Sequence, residues 1–411
     1  MTTRTSALDR VRSSGSHPTG AQRPLDSIAN YEFPVDVCKQ LNHLPTPFIL
    51  YDRARFRRRI RDILDEFDGY LFPAKANPHI DLLREALTLG TGIDVCSTGE
   101  LDLALAAGAT GADINYCSVC MTAELCDRIA SLGATVTLNT LDDLKLWLSR
   151  TSDRPVSLRV EASSKGTPYG DKFGIAAHEW PEVISLLDQS AGSLAGLHIH
   201  TSHEGDGRCF VERLQPLKHA LDCIRHLVPS LERINLGGGW PFPYGQVSDE
   251  SLAATYSMTV RSRLRPHLDS LRFQGRIFVE PGEYVTAPCG YWGGLITGTK
   301  QCPDGTTIAY VNTPGVVPSA QLPYPVTLYR HNDTGLAAVT DGARTPTRFV
   351  AATNSPFDTI RPTLTMQRPQ AGYLAVFGQA GAYLPCLIGY FNGIPTPTEW
   401  VVEQVTSTRE D

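Results

Sequence analysis

The chain has 411 residues, 42% of them apolar and 19% charged, the balance of an ordinary globular protein. Its net charge of −6 gives no basic footprint for nucleic acid or an anionic membrane. No run of about 18 apolar residues is present to cross a bilayer. Residues 1–25 are rich in Ser, Thr, Arg, Gly and Pro without an apolar core. They read as a disordered tail rather than a secretory signal. Arg4, Arg10, Arg12 and Arg23 suggest an organelle-targeting alternative, weakened by Asp9 and by the missing amphipathic pattern. Residues 26–46 read as a segment joining the β domain that closes the chain.

From residue 47 short apolar strands alternate with longer helical patterns. The predicted strands are Phe48–Tyr51, Tyr70–Ala74, Gly92–Val95, Asp113–Tyr116, Thr135–Leu138, Val156–Val160, Gly196–His200, Arg233–Leu236 and Ile277–Glu280. Amphipathic runs such as Asp81–Leu89, Gly99–Ala107 and Leu141–Leu148 lie between them, with Gly108 as a C-cap. Eight or nine βα units over residues 47–284 predict an α/β protein built on a TIM-type (β/α)8 barrel. Beyond residue 285 the composition turns to Gly, Pro, Thr and Val. Runs such as Thr306–Val311, Arg348–Ala352 and Leu374–Phe377 predict a C-terminal antiparallel β domain over residues 285–411.

Ten cysteines are scattered along the chain. Cys117 and Cys120 form C-x-x-C, but no second pair follows, so core thiols are favoured over a zinc site. No metal is expected. Free thiols in a chain this long point to a reducing, cytoplasmic compartment.

In a barrel of this type the active site lies at the C-terminal ends of the strands, and the polar residues cluster there. Lys75 ends one strand, where loss of its proton would let it attack a carbonyl and form a Schiff base. Asp94 and Ser97 end the next. Arg159 ends another, followed by Lys172-Phe173-Gly174. His198 and His200 end the seventh, Gly237-Gly238-Gly239 the eighth, and Glu280-Pro281-Gly282 the last. A triple glycine exposes backbone N–H groups suited to a phosphate, although alone it serves equally as a flexible turn. A glutamate at a strand end suits a pyridinium nitrogen, and an imidazole can stack on a ring. Their plain alternatives are a solvated carboxylate and a hydrogen-bonded core histidine; packing alone explains the joint arrangement poorly.

These motifs, together with Ala74-Lys75-Ala76-Asn77, Asp94 to Glu100, Leu158-Arg159-Val160, Gly381-Ala382-Tyr383 and Phe391-Asn392-Gly393, resemble the fold-type III pyridoxal-phosphate decarboxylases. That family includes ornithine, diaminopimelate and biosynthetic arginine decarboxylases. The resemblance covers about residues 30–405. It implies an alanine-racemase-like barrel with a C-terminal β domain, working as a homodimer that shares its active sites across the interface. It further implies that Lys75 forms the Schiff base with pyridoxal 5'-phosphate, His200 stacks on the ring and Glu280 meets its nitrogen. Gly237, Gly238, Gly239 and Tyr383 would hold the phosphate, with Asp94, Glu100 and Arg159 lining the lysine side.

The chain also departs from the family pattern. His203 stands in place of a phosphate-binding serine, and Glu283 in place of an arginine near the phosphate. A carboxylate there would repel the phosphate, so the two changes suggest a compensating swap in which His203 supplies the donor. Asn354 replaces the cysteine that returns a proton after CO2 leaves, which calls for another donor such as His203, Tyr324 or water. Ser355, in Asn354-Ser355-Pro356-Phe357-Asp358, replaces an acid that reads a distal ammonium. Glu283, Tyr324, Ser355 and Asp358 are the expected substrate-facing residues. The leading expectation is α-decarboxylation of an amino acid or amino-acid conjugate in a specialised pathway, of the siderophore or antibiotic kind. An amino-acid racemase or epimerase and a non-catalytic decarboxylase-like regulator are the alternatives.

Overall fold

The computed structural model describes residues 33, 38, 41–42, 44–151, 154–162, 172–190, 192–200, 214–245, 252–315, 322–333 and 335–403. Eight parallel strands close into a barrel: β2 (Gly69–Pro73), β3 (Gly92–Val95), β4 (Ile114–Cys117), β5 (Thr135–Leu138), β6 (Val156–Val160), β7 (Leu194–Ile199), β8 (Arg233–Asn235) and β9 (Arg276–Val279). Closure comes from β9 pairing in parallel with β2, with Gly69 opposite Phe278. The strands are short, apolar and almost wholly buried, as parallel strands covered on both faces must be.

Local signals end each helix where the next stave must begin. Ser97 caps the helix Thr98–Ala107 by accepting the Glu100 N–H at 3.2 Å. Gly108, at φ 105°, ends that helix in the left-handed region as predicted. Thr122 and Thr140 cap the next two helices in the same way.

The strand β1 (Phe48–Asp52) forms as expected but is not a barrel stave. It pairs antiparallel with β10 (Gly290–Gln301) and parallel with β17 (Thr398–Val402). The barrel therefore starts at Gly69, twenty-one residues beyond the start of the first predicted stave at Phe48. An entirely buried apolar run such as Phe-Ile-Leu-Tyr carries no local mark of which sheet it joins.

The second sheet has nine strands: β1, β10, β11 (Thr307–Val311), β12 (Val326–Asn332), β13 (Gly335–Ala338), β14 (Arg344–Ala351), β15 (Thr359–Gln367), β16 (Leu374–Phe377) and β17. It is antiparallel, as expected, except where β11 meets β14 and β1 meets β17. One continuous apolar core runs from the barrel staves through Tyr284, Val285 and Trp292 into this sheet. Arg59 fixes the join, with its guanidinium 4.9 Å over the Tyr284 ring and its Nη1 donating to the Tyr284 hydroxyl at 3.1 Å. Among the described residues no helix is long and apolar enough to cross a membrane.

Candidate active site

Lys75 lies just past the end of β2, in a single 3-10 turn of Ala74–Ala76. Ala74 and Ala76 are buried while the lysine side chain is exposed. The β domain stitches this turn in place. The Tyr383 N–H donates to the Ala76 carbonyl at 2.7 Å, Asn77 Nδ2 to the Gly381 carbonyl at 2.9 Å, and Cys386 Sγ to the Lys75 carbonyl at 3.3 Å. Although Lys75 opens to the barrel mouth, the crowded walls strip water from its ammonium and pull it down; the carboxylates of Asp94 and Glu280 outweigh this and the net shift is upward. Without a bound partner the lysine therefore keeps its proton.

Two buried carboxyls flank this charge, from the strands on either side of β2. Asp94 on β3 accepts from Asn115 Nδ2 at 2.8 Å. Glu280 follows β9 and accepts from Asn235 Nδ2 at 2.5 Å, with His198 Nε2 3.3 Å from its other oxygen. Burial pushes both acids up. At Glu280 the push is overcome by His198, Lys75 and Asn235, and its carboxyl is held below the usual range. At Asp94 burial and the neighbouring Glu280 prevail over Lys75 and Asn115, and its carboxyl is driven well up. Glu280 is thus the stronger acid of the two and Asp94 the weaker. Burial also lowers His198, against the pull of Glu280.

The glycine turn follows β8. Gly237 and Gly239 have φ 67° and 73°, where any other residue is strained. Gly238 is pressed so close that a Cβ there would stand 2.3 Å from the Glu280 carbonyl oxygen. Its N–H donates to His200 Nδ1 at 3.1 Å, and the Gly237 N–H to Asn235 Oδ1 at 2.9 Å. One asparagine therefore orients both the glycine turn and Glu280. Arg159 on β6 is 9% exposed and stacks 4.2 Å over the Phe173 ring, leaving its buried Nε without a partner. Glu100 accepts the Cys96 N–H at 2.8 Å.

Lys75, Asp94, Arg159, His200, the glycine turn and Glu280 lie at the same end of the barrel, with Tyr383 reaching it from the β domain. Glu283 accepts the Tyr244 hydroxyl at 2.8 Å, and Tyr244 packs edge-on against Tyr324 at 5.8 Å. Burial and Glu283 raise the Tyr324 phenol, which keeps its proton. Asn354, Ser355 and Asp358 sit on the turn between β14 and β15. Their hydrogen bonds run to Asn392, Thr353 and Phe357 within the β domain, and none of these bonds reaches the Lys75 cluster. His203 lies outside the described residues, so the suggested swap with Glu283 is seen from one side only.

Sequence reasoning did not single out Asn115, Thr137, Asn235 or Tyr244. His198 was noticed as a strand-end histidine but given no role; it stands 3.3 Å from Glu280. Asn115 and Asn235 are polar residues inside apolar strands, and that mismatch was the signal available for them.

The donor set fits pyridoxal phosphate. An amine for its aldehyde, an ionised carboxylate for its ring nitrogen, an imidazole beside the turn and a bare glycine turn that leaves room for its phosphate all lie within one barrel mouth. Residues 53–287, more than half of the chain, match the family described as "Pyridoxal-dependent decarboxylase, pyridoxal binding domain". The chain belongs to this family. Diaminopimelate decarboxylase of Deinococcus radiodurans is 25% identical over 367 residues, taking in 86% of this chain and 89% of that enzyme. Its counterpart in Pseudomonas fluorescens is 30% identical over 271 residues, 60% of this chain and 62% of that enzyme. The crystal structure of diaminopimelate decarboxylase from Helicobacter pylori complexed with L-lysine has the same fold, with a TM-score of 0.77 at 20% identity over 89% of this chain and 93% of that one. This pyridoxal-dependent decarboxylase is a carboxy-lyase that acts on amino acids and uses pyridoxal 5'-phosphate.

Proposed function

We propose that the enzyme removes the α-carboxylate of an amino acid or amino-acid conjugate whose distal end is not a simple ammonium, in a specialised biosynthetic pathway. The observation that carries this reading is Glu280, a buried carboxylate kept ionised among Lys75, His198 and Asn235. When bound, pyridoxal phosphate supplies an electron sink for the pair left behind as CO2 departs. Glu280 keeps the ring nitrogen protonated, and so keeps that sink deep. Lys75 would hold the cofactor through its aldehyde carbon. Gly237, Gly238, Gly239 and Tyr383 bind the phosphate, with His203 in place of the family serine. His200 stacks on the ring, and Asp94 and Arg159 line the lysine side.

The substrate side rests on Glu283, Tyr324, Ser355 and Asp358. Ser355 offers no carboxylate to a distal ammonium, which argues against lysine, ornithine and diaminopimelate. Asn354 cannot act as an acid at neutral pH, so the proton returned to the product comes from His203, Tyr324 or water. Phe357, Tyr390 and Phe391 are 76%, 72% and 49% exposed beside this turn, which supports a homodimer that brings Asn354 and Ser355 to the partner's lysine. The cysteines among the described residues are free, in keeping with a cytoplasmic enzyme.

The test is CO2 release after reconstitution with pyridoxal phosphate, across amino acids with cationic, neutral and conjugated distal ends. Turnover of the neutral or conjugated set is expected, with Lys75→Ala inactive and lacking the absorbance band at about 420 nm. Preferential turnover of diaminopimelate or lysine would sink the substrate assignment. Racemisation without CO2 would sink the reaction.

A further inference from the structure

Three polar side chains on consecutive staves form a ladder that ends beside the lysine strand. Asp94 on β3, Asn115 on β4 and Thr137 on β5 are 5%, 3% and 2% exposed. Asn115 Nδ2 donates to Asp94 Oδ1 at 2.8 Å, and Thr137 Oγ1 donates to Asn115 Oδ1 at 3.0 Å. An amide has a donor end and an acceptor end. With its oxygen taken by the Thr137 hydroxyl, Asn115 turns its NH2 toward Asp94. The ladder therefore has a direction, and what reaches Asp94 is a donor.

Barrel interiors are ordinarily filled by branched apolar side chains, and a polar trio is tolerated there only because its members hydrogen-bond one another. Packing alone gives no reason to place polar groups where apolar ones would serve. The end of the ladder gives one: Asp94 stands opposite Pro73 in the β2–β3 register, two residues before Lys75.

We propose that Asn115 and Thr137 are positioning residues that hold Asp94 as a hydrogen-bond acceptor beside Lys75 and so support positive charge on the Lys75 nitrogen. The proposal rests on the reading that Lys75 carries pyridoxal phosphate, and it concerns that nitrogen in the loaded enzyme. Around the nitrogen stand Asp94 from β3, Cys96 just beyond it, Cys117 from β4, His198 from β7, Glu280 from the end of β9 and Tyr383 from the β domain. Around Asp94 stand Lys75, Glu280 and Glu100. Glu280 has its own donor in Asn235, so the ladder is the part of this surround that addresses Asp94. Burial and Glu280 drive the Asp94 proton on, while Lys75 and Asn115 drive it off. Removing the Asn115 donor shifts that balance toward the neutral acid, which gives less support to a cation.

The test follows the absorbance of the Lys75-bound cofactor, at about 420 nm, against pH in the full-length holoenzyme. The band fades as the Lys75 nitrogen loses its proton. Asn115→Leu is expected to move the midpoint down by about one pH unit, since a hydrogen bond to an ionised carboxylate is worth about that much. Thr137→Val, nearly the same shape without the hydroxyl, is expected to move it down by less, and Thr137→Ser to leave it unchanged. Midpoints equal to wild type in both Asn115→Leu and Thr137→Val, or shifted upward, overturn the proposal. If Asn115→Leu does not fold, the Thr137→Val and Thr137→Ser pair decides it alone. Failure of the underlying reading looks different: no band in the reconstituted wild type, or a band that survives Lys75→Ala, overturns both.

Discussion

Asp94 is a carboxyl held where ionisation is disfavoured, by burial first and by Glu280 second. Because its folded-state pKa is raised, the folded protein holds a proton that the unfolded chain gives up. Stability from this group is then fully present below the unfolded value of about 3.9 and is lost as pH climbs through the raised folded value. Asp94→Asn keeps an oxygen for Asn115 and removes the titration. It is expected to raise stability at pH 7 by about 1 kcal/mol, with the difference shrinking toward pH 4, while impairing turnover. Thermal unfolding at the two pH values checks the sign. Glu280 runs the other way: its depressed carboxyl contributes stability above the unfolded value of about 4.3, lost as pH falls through its folded value. Glu280→Gln is expected to keep the cofactor but lower the rate of CO2 release by about 100-fold or more, as loss of a preorganised charge does. Single-turnover kinetics separates that loss from weaker substrate binding.

The turn after β8 joins two elements through bare backbone, with Gly238 against the Glu280 carbonyl. Neither wall of that contact is a flexible side chain. Gly238→Ala must therefore displace the turn or the end of β9, at a cost of about 1–3 kcal/mol. Thermal shift should show that loss, and cofactor retention on gel filtration should fall with it. The turn was legible in the sequence because three glycines after an apolar strand are conspicuous, and Lys75 and Glu280 were legible because charges seldom end buried strands. Asn115 and Thr137 were not, since one amide and one hydroxyl inside strand-like runs give no hint that they touch. β1 was readable as a strand but not as a member of the second sheet, because strand pairing is decided by residues hundreds of positions away. Tyr244 sits in a Pro- and Phe-rich stretch with no periodicity, so its bond to Glu283 has no sequence precursor.

At the scale of the molecule the barrel supplies the lysine and the β domain holds it from outside through Tyr383, Gly381 and Cys386. The exposed aromatic trio of Phe357, Tyr390 and Phe391 surrounds the turn that bears Asn354, whose N–H is held by Asn392 Oδ1 at 2.9 Å. A double change of Phe357→Asp and Tyr390→Ser is expected to convert a dimer into a monomer by sedimentation velocity and to abolish CO2 release. A fully dimeric, active double variant would show that this face is not the interface.

The placement of β1 has a consequence for how the protein is made. Its neighbours are β10, more than two hundred residues later, and β17, which ends at Val402. During synthesis this strand emerges early and remains without either partner while every barrel stave is completed behind it. The barrel can close on local βα contacts alone, but the sheet that braces Lys75 waits for residues 398–402 of β17 to leave the ribosome. The site is therefore finished late, and a chain that stops short of Thr398 would keep its barrel staves yet leave β1 exposed along one edge as a template for unwanted pairing.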